Sequence, residues 1–183
     1  MTYGVFGGSF DPPHLAHAMA CLWALESGAI DRVLLIPVAV HAFGKTPGAN
    51  FAHRLAMCRL VAARFGDAVE VNDTEGRRAG TSFMIDTLRE LHRERPRAAF
   101  RLIAGSDVVG EIPKWRESAE VLRLAPVLEI PRPGGGAALP NALPDISSSV
   151  VRERLRAGLP MEGWLSANVS DYIRSNGLYL GTQ

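Results

Sequence analysis

The sequence predicts an α/β protein built on a doubly wound parallel sheet, with additional helices at its C-terminus. Two observations carry that prediction. Short apolar runs rich in branched residues alternate with segments of helical period five times along the chain. Three unusual loops, GGSFDPPH, HAFGK and GSD, fall at the C-terminal ends of such runs. In doubly wound sheets, ligands sit beyond the carboxyl ends of the strands.

Taken in order, the first strand covers Tyr3 to Phe6 and runs into Gly7 and Gly8. A helix is expected from Pro13 to Ser27, with Leu15, Met19, Leu22 and either Trp23 or Leu25 as its apolar side and Gly28 as its stop. Arg32 to Val38 reads as a buried parallel strand. The loop HAFGKTPGAN is broken by Gly44, Pro47 and Gly48, and Asn50 caps the next helix. On that helix Phe51, Leu55, Cys58, Val61 or Ala62, and Phe65 recur at helical spacing. Ala68 to Val71 is a short strand. Thr81 to Arg95 is helical, with Met84, Leu88 and Leu91 on one face. Phe100 to Ala104 is a strand leading to Gly105 and Asp107, Ser118 to Leu124 a helix, and Pro126 to Ile130 the last strand. Pro131 to Pro144, rich in proline and carrying Gly134 to Gly136, is a loop. Helices over Ser148 to Arg156 and Asn168 to Ser175, the second stopped by Gly177, close the chain.

Composition sets the limits. At 183 residues, 47% hydrophobic and 21% charged, the chain is expected to fold as one domain, residues 1–183, around a real core. A net charge of +1 gives no electrostatic footprint for nucleic acid, so anion binding has to come from local arrangement. Cys21 and Cys58 lie far apart in helix-like segments, with neither metal-ligand spacing nor a disulfide framework. Neither a signal-like segment nor a membrane-length apolar run is present. The expectation is a cytoplasmic protein without membrane contact, its oligomeric state left open and a homo-oligomer allowed.

The chemistry concentrates in GGSFDPPHLAH, Gly7 to His17. Paired glycines let a backbone approach a ligand closely. Pro13 suits the first turn of a helix, where its missing N–H costs nothing. His14 and His17, three apart, share one helical face. Beside the open N–H groups of a positive helix end, their imidazoles make an anion site. Half a metal site and a pair of structural caps are the other readings of this pair. A second stretch, ISSSVVRERL, places Ser147, Ser148 and Ser149 at a helix start with Arg152 one turn in. The hydroxyls either cap that helix or join its N-terminus and the arginine in holding phosphate. Lys45 stands in a glycine-flanked loop, Asp107 follows a strand, and Trp115 is either ordinary packing or a stacking platform for a planar ring. Neither the P-loop nor the dinucleotide-binding glycine fingerprint is present.

GGSFDPPHLAH resembles the G-G-[TS]-F-D-P-x-H-x-G-H motif of the nucleotidyltransferases that share the HIGH signature with class I aminoacyl-tRNA synthetases. ISSSVVRERL resembles their second signature, I-S-S-T-x-[IV]-R. EGRRAGTSFMIDTLREL and IAGSDVVGEIPKW are similar to stretches of the bacterial nicotinate-nucleotide adenylyltransferases, and VSDYIRSNGLY to that family's closing helix. The resemblance spans nearly the whole chain in the right order, and no synthetase-type KMSKS loop is present.

That resemblance implies a Rossmann-like nucleotidyltransferase fold and transfer of the adenylyl group of ATP to nicotinate mononucleotide, with Mg²⁺ riding on the ATP phosphates and no protein-held metal. It implies that Gly7, Gly8, Ser9 and Phe10 line the ATP site by backbone contact, and that His14 and His17 hold its phosphates. Ile146, Ser147, Ser148, Ser149 and Arg152 would hold the triphosphate from the opposite side, and Gly105 and Asp107 would contact the ribose side. Lys45 would close on phosphate, and Thr81 and Trp115 would form the nicotinate pocket. His14, His17, Lys45 and Arg152 form the implied catalytic set. Ala16, Phe83, Met84 and Ser149 depart from the family's glycine, tyrosine, threonine and threonine, and HAFGK also resembles a loop of nicotinamide-mononucleotide adenylyltransferases. The amide mononucleotide and phosphopantetheine are therefore the alternative acceptors, and a catalytically silent nucleotide-binding regulator is the alternative from another class.

Overall fold

The computed structural model describes residues 1–42, 44, 46–131 and 143–180. Strands β1 (Thr2–Gly8), β2 (Arg32–Pro37), β3 (Val69–Val71), β4 (Ala99–Gly105) and β5 (Val127–Ile130) form one parallel sheet in the order β3-β2-β1-β4-β5. This is the doubly wound sheet expected from the alternation. The chain winds outward from β1 to β3, then crosses back to lay β4 on the other side of β1.

The registers show what that reversal does. β1 stays paired with β2 as far as Gly8 opposite Pro37. It pairs with β4 only from Thr2 opposite Ala99 to Val5 opposite Leu102. β4 meanwhile continues against β5 to Gly105 opposite Ile130. Beyond Val5 and Leu102 the two central strands part, and a crevice opens at the point where strand order reverses.

Helices α1 (Leu15–Glu26), α2 (Phe51–Ala62), α3 (Thr74–Arg77), α4 (Met84–Glu94), α5 (Ser106–Val109), α6 (Ser118–Leu124), α7 (Ser148–Arg156) and α8 (Ala167–Ser175) surround the sheet. Successive strand residues point to opposite faces. Val33, Leu35 and Ile103 join Cys21, Ala24 and Cys58 in one core, whereas Leu34, Ile36, Leu102 and Ala104 join Ile85, Leu88 and Leu91 in a second. A third core packs Met57 and Val61 of α2 against Val151, Val169 and Ile173 of the C-terminal helices. Among the described residues no helix is long and apolar enough to cross a membrane.

Several local expectations need correction. The buried side of α1 is Ala16, Ala20, Cys21 and Ala24, and Leu22 is 50% exposed. Small side chains let this helix lie close to the sheet, while Met19, Trp23 and Leu25 pack around the edge of the core. We expect Ala24→Leu, at a fully buried site, to cost about 1–3 kcal/mol by overpacking. The check is a thermal midpoint lowered by about 2–4 °C per kcal/mol.

Asn50 caps α2 as predicted, accepting the His53 N–H at 3.0 Å. The buried residues of α2 are Arg54, Met57, Cys58, Val61 and Ala62, with Leu55 and Phe65 only partly covered. Helix α4 starts at Met84 rather than Thr81, because Phe83 is its extended N-cap and Ser82 forms a β-bridge with His41. The α1 start is likewise later than expected, with His14 as N-cap after a cis Asp11–Pro12 bond. The short helices α3 and α5 escaped the periodicity reading because one turn is too brief to show a period. Most of the expected loop from Pro131 to Pro144 lies outside the described residues.

Candidate functional site

The site begins where β1 gives out. A Cβ on Gly7 would lie 2.8 Å from the Met84 Cε, so this end of β1 packs against the flexible tip of an α4 side chain. Phe10 takes a left-handed φ of 48° and is buried in the first core. Its ring meets the His17 ring edge-on at 4.9 Å between centroids. Phe10 is therefore an anchor beneath the loop and does not itself line the crevice.

His14 and His17 lie ring against ring, 3.7 Å between centroids. The His14 backbone N–H donates to His17 Nδ1 at 3.1 Å. An accepting Nδ1 requires a lone pair there, so the neutral His17 ring carries its proton on Nε2. The first N–H of α1, on Leu15, donates to the Trp164 carbonyl at 2.9 Å, and that of His17 to the His14 carbonyl at 2.9 Å. The helix end is less open than its sequence implied, and the imidazoles supply much of its polar face.

A cavity of about 820 Å³ fills the gap between β1 and β4. Gly7, Gly8, Ser9, His14 and His17 line one end. Gly105 and Asp107, at the end of β4 and the start of α5, line its side. Trp115, half-buried against the second core, lines it further along with Phe83 and Met84. These residues come from the sheet edge that the loops had marked.

Other predicted residues lie elsewhere. Thr81 is exposed and outside the lining, whereas Ser82 next to it is part of that lining through its bridge to His41. Ile146 is buried in the third core. Ser147 caps α7 by accepting the Val150 N–H at 3.3 Å, and Ser148 Oγ donates to the Pro12 carbonyl at 3.0 Å. Arg152 donates to the Asp11 carbonyl at 2.6 Å and to its carboxylate at 3.3 Å, and to Ser149 Oγ at 3.4 Å. This α7 group braces the Asp11–Pro12 turn and does not line the cavity. Lys45 lies outside the described residues.

Sequence reasoning missed three residues that hold the site together. Asp11 is 3% exposed. Its carboxylate accepts the N–H groups of Gly48 at 2.7 Å and Ala49 at 3.0 Å, and the Tyr179 hydroxyl at 2.7 Å. Arg54, 1% exposed, donates to the Ser9 carbonyl at 2.7 Å and the Ala49 carbonyl at 3.1 Å. Burial pulls its pKa down, with Asp11 the largest opposing influence. Glu75 lines the cavity yet is nearly buried, accepting from Thr87 Oγ1 at 2.9 Å and the Ala39 N–H at 3.4 Å. Burial raises its carboxyl pKa against those hydrogen bonds. A polar residue at a core position of α2 was the one available signal for Arg54. Asp11 stood inside the motif without an assigned partner.

Glycine-lined backbone, paired imidazoles and a crevice at the strand reversal are the features of a nucleotide-binding α/β protein. Residues 5–154 match the cytidylyltransferase-like family model. The chain belongs to the cytidylyltransferase-like family and, within it, groups with the nicotinate-nucleotide adenylyltransferases. A probable nicotinate-nucleotide adenylyltransferase of Anaeromyxobacter sp. (strain K) is 40% identical, covering 97% of this chain and 96% of its own. One from Thermus thermophilus is 35% identical over 98% of this chain and all of its own. Among solved structures, a nicotinic acid mononucleotide adenylyltransferase of Plasmodium falciparum complexed with NaAD has a TM-score of 0.76 at 21% identity, covering 97% of each chain. That likeness shows the shared fold.

Proposed function

We propose that this chain transfers the adenylyl group of ATP to nicotinate mononucleotide, yielding nicotinate adenine dinucleotide and pyrophosphate. The observation that carries the reading is one continuous cavity running from the His14–His17 pair to Trp115. Its volume of about 820 Å³ falls in the upper part of the roughly 300–1,000 Å³ range of small-molecule sites. The near-full-length relatives that carry this activity in their names support the same choice.

In this reaction a 5′-phosphate oxygen of the mononucleotide attacks the α-phosphorus of ATP. The bond from that phosphorus to the β-bridging oxygen breaks, and pyrophosphate leaves with the bond's electron pair. The protein's task is to align the two nucleotides and to stabilise the charge. Gly7, Gly8 and Ser9 let ATP lie close to the backbone. His17 donates from Nε2 toward the phosphates beside His14. Arg152 stands outside the lining; among the described residues its guanidinium engages Asp11 and Ser149, and its place in this reading is to meet the triphosphate from the α7 side. Lys45 supplies a cation for phosphate in this reading. Gly105 and Asp107 sit by the ribose, and Trp115 stacks on the pyridine ring. Mg²⁺ bound with ATP would supply neutralisation of phosphate charge. We assign the reaction to the cytoplasm, in keeping with Cys21 and Cys58 as buried free thiols.

The acid-acceptor assignment is tested by incubating the protein with MgATP and nicotinate mononucleotide, nicotinamide mononucleotide or phosphopantetheine, and measuring pyrophosphate release. Release with the first, well above the others, is expected. Silence with all three sinks the enzyme reading. Preference for the amide sinks the acceptor assignment alone, and Phe83 and Met84, which bring no hydroxyl to the lining, are the observation in favour of that second reading. Trp115→Ala is expected to raise the KM of the mononucleotide by about tenfold, the scale of one lost stacking contact, and to leave that of ATP nearly unchanged. Equal effects on both substrates reduce the indole to packing.

A further inference from the structure

The C-terminal segment makes a contact with the site that the proposed reaction does not account for. Tyr179 is buried, close to the end of the described chain, and holds a left-handed φ of 60°. Its hydroxyl donates to Asp11 Oδ1 at 2.7 Å. Arg152 reaches the other oxygen of the same carboxylate at 3.3 Å and the Asp11 carbonyl at 2.6 Å. The N–H groups of Gly48 and Ala49 complete the set. One buried carboxylate thus joins the GGSFDPPH loop, the segment after Lys45, helix α7 and the C-terminus.

Packing repeats this convergence. A Cβ on Gly48 would lie 3.2 Å from Tyr179 Cε1 and 3.4 Å from Arg152 Cδ. Gly48 therefore lies beside both the tyrosine ring and the arginine stem. Burial raises the Tyr179 pKa, and Asp11 raises it further, which keeps the hydroxyl a proton donor.

We propose that Tyr179 is a positioning residue for ATP, acting through Asp11 to aim Arg152 and to fix the Gly48–Ala49 segment. This rests on the adenylyltransferase reading for its ligand. An alternative, purely structural tyrosine would stabilise the third core without touching ATP affinity.

The test is a double-mutant cycle read by calorimetric binding of a non-hydrolysable ATP analogue with Mg²⁺. Tyr179→Phe keeps the ring and removes the donor. Tyr172→Phe is the control, since it removes a different hydroxyl of the same C-terminal region, 3.0 Å from His53 Nδ1. Tyr179→Phe is expected to weaken the analogue by about fivefold to tenfold, the scale of the net contribution of one hydrogen bond. Tyr172→Phe is expected to leave affinity unchanged at a similar thermal midpoint. Arg152→Lys combined with Tyr179→Phe is expected to weaken binding little more than Arg152→Lys alone, because both act on one carboxylate. Unchanged affinity in Tyr179→Phe, an equal loss in Tyr172→Phe, or losses that multiply in the double variant overturn the proposal. A wild-type protein that binds no analogue overturns the nucleotide reading and this one with it. A wild type that binds but releases no pyrophosphate overturns only the reaction.

Discussion

His17→Ala is expected to lower turnover by about 10²–10³-fold, the cost of removing one aligned donor from developing oxyanion charge. The geometry allows a sharper version of this experiment. Nδ1 of His17 accepts the His14 N–H at 3.1 Å, so the ring's two nitrogens have different duties. His17→Asn retains an acceptor near the Nδ1 position and lacks the distal donor. His17→Gln reaches to the distal position and gives up the local link. If Nε2 is what meets phosphate, the Asn variant is expected to be as slow as the Ala variant while keeping its thermal midpoint. The Gln variant is expected to recover part of the rate. Near-normal turnover in His17→Asn would reduce His17 to a helix cap. Steady-state kinetics with both substrates, together with a melting curve for each variant, decide the matter.

The contrast between what is legible in the sequence and what is not follows from the range of the interactions. Gly7, Gly8, His14 and His17 work within a short stretch of chain, so their spacing already expresses their arrangement, and the structure places all four in the cavity lining. The alternation of strands and helices is likewise local, and it leads directly to the parallel sheet. Asp11 is different. Its partners at Gly48, Arg152 and Tyr179 lie 37, 141 and 168 positions away, and nothing in its own neighbourhood announces them. The small-residue face of α1 is hidden for a related reason. Apolar bulk marks an ordinary buried stripe, but this helix approaches the sheet through Ala16, Ala20, Cys21 and Ala24. Thr81 falls outside the lining because Ser82 pairs with His41 and keeps the segment extended.

Arg54→Met is expected to destabilise the fold more than Ala24→Leu or any of the site substitutions, although it exchanges a charged residue for an apolar one inside a helix. Arg54 is 1% exposed, and its guanidinium donates to the carbonyls of Ser9 and Ala49. Methionine fills much of the volume but offers those oxygens nothing, and it removes a cation whose strongest charge interaction is with the buried Asp11. Breaking such a buried arrangement by deleting one member costs about 3–5 kcal/mol, which corresponds to about 2–4 °C of thermal midpoint per kcal/mol in a domain of this size. Arg54→Lys restores charge without the two-directional donor geometry, so it is expected to recover only part of the loss. The pair of variants separates charge from geometry. Full recovery in Arg54→Lys would mean that the cation alone is needed, and a midpoint unchanged in Arg54→Met would mean that the carbonyls are satisfied without it. The site also feels this substitution. Ser9 precedes Asp11 on its own loop and Ala49 donates to its carboxylate from the other, so Arg54→Met is expected to raise the ATP KM even at temperatures where the protein remains folded. An unaltered KM in the folded variant would confine Arg54 to stability.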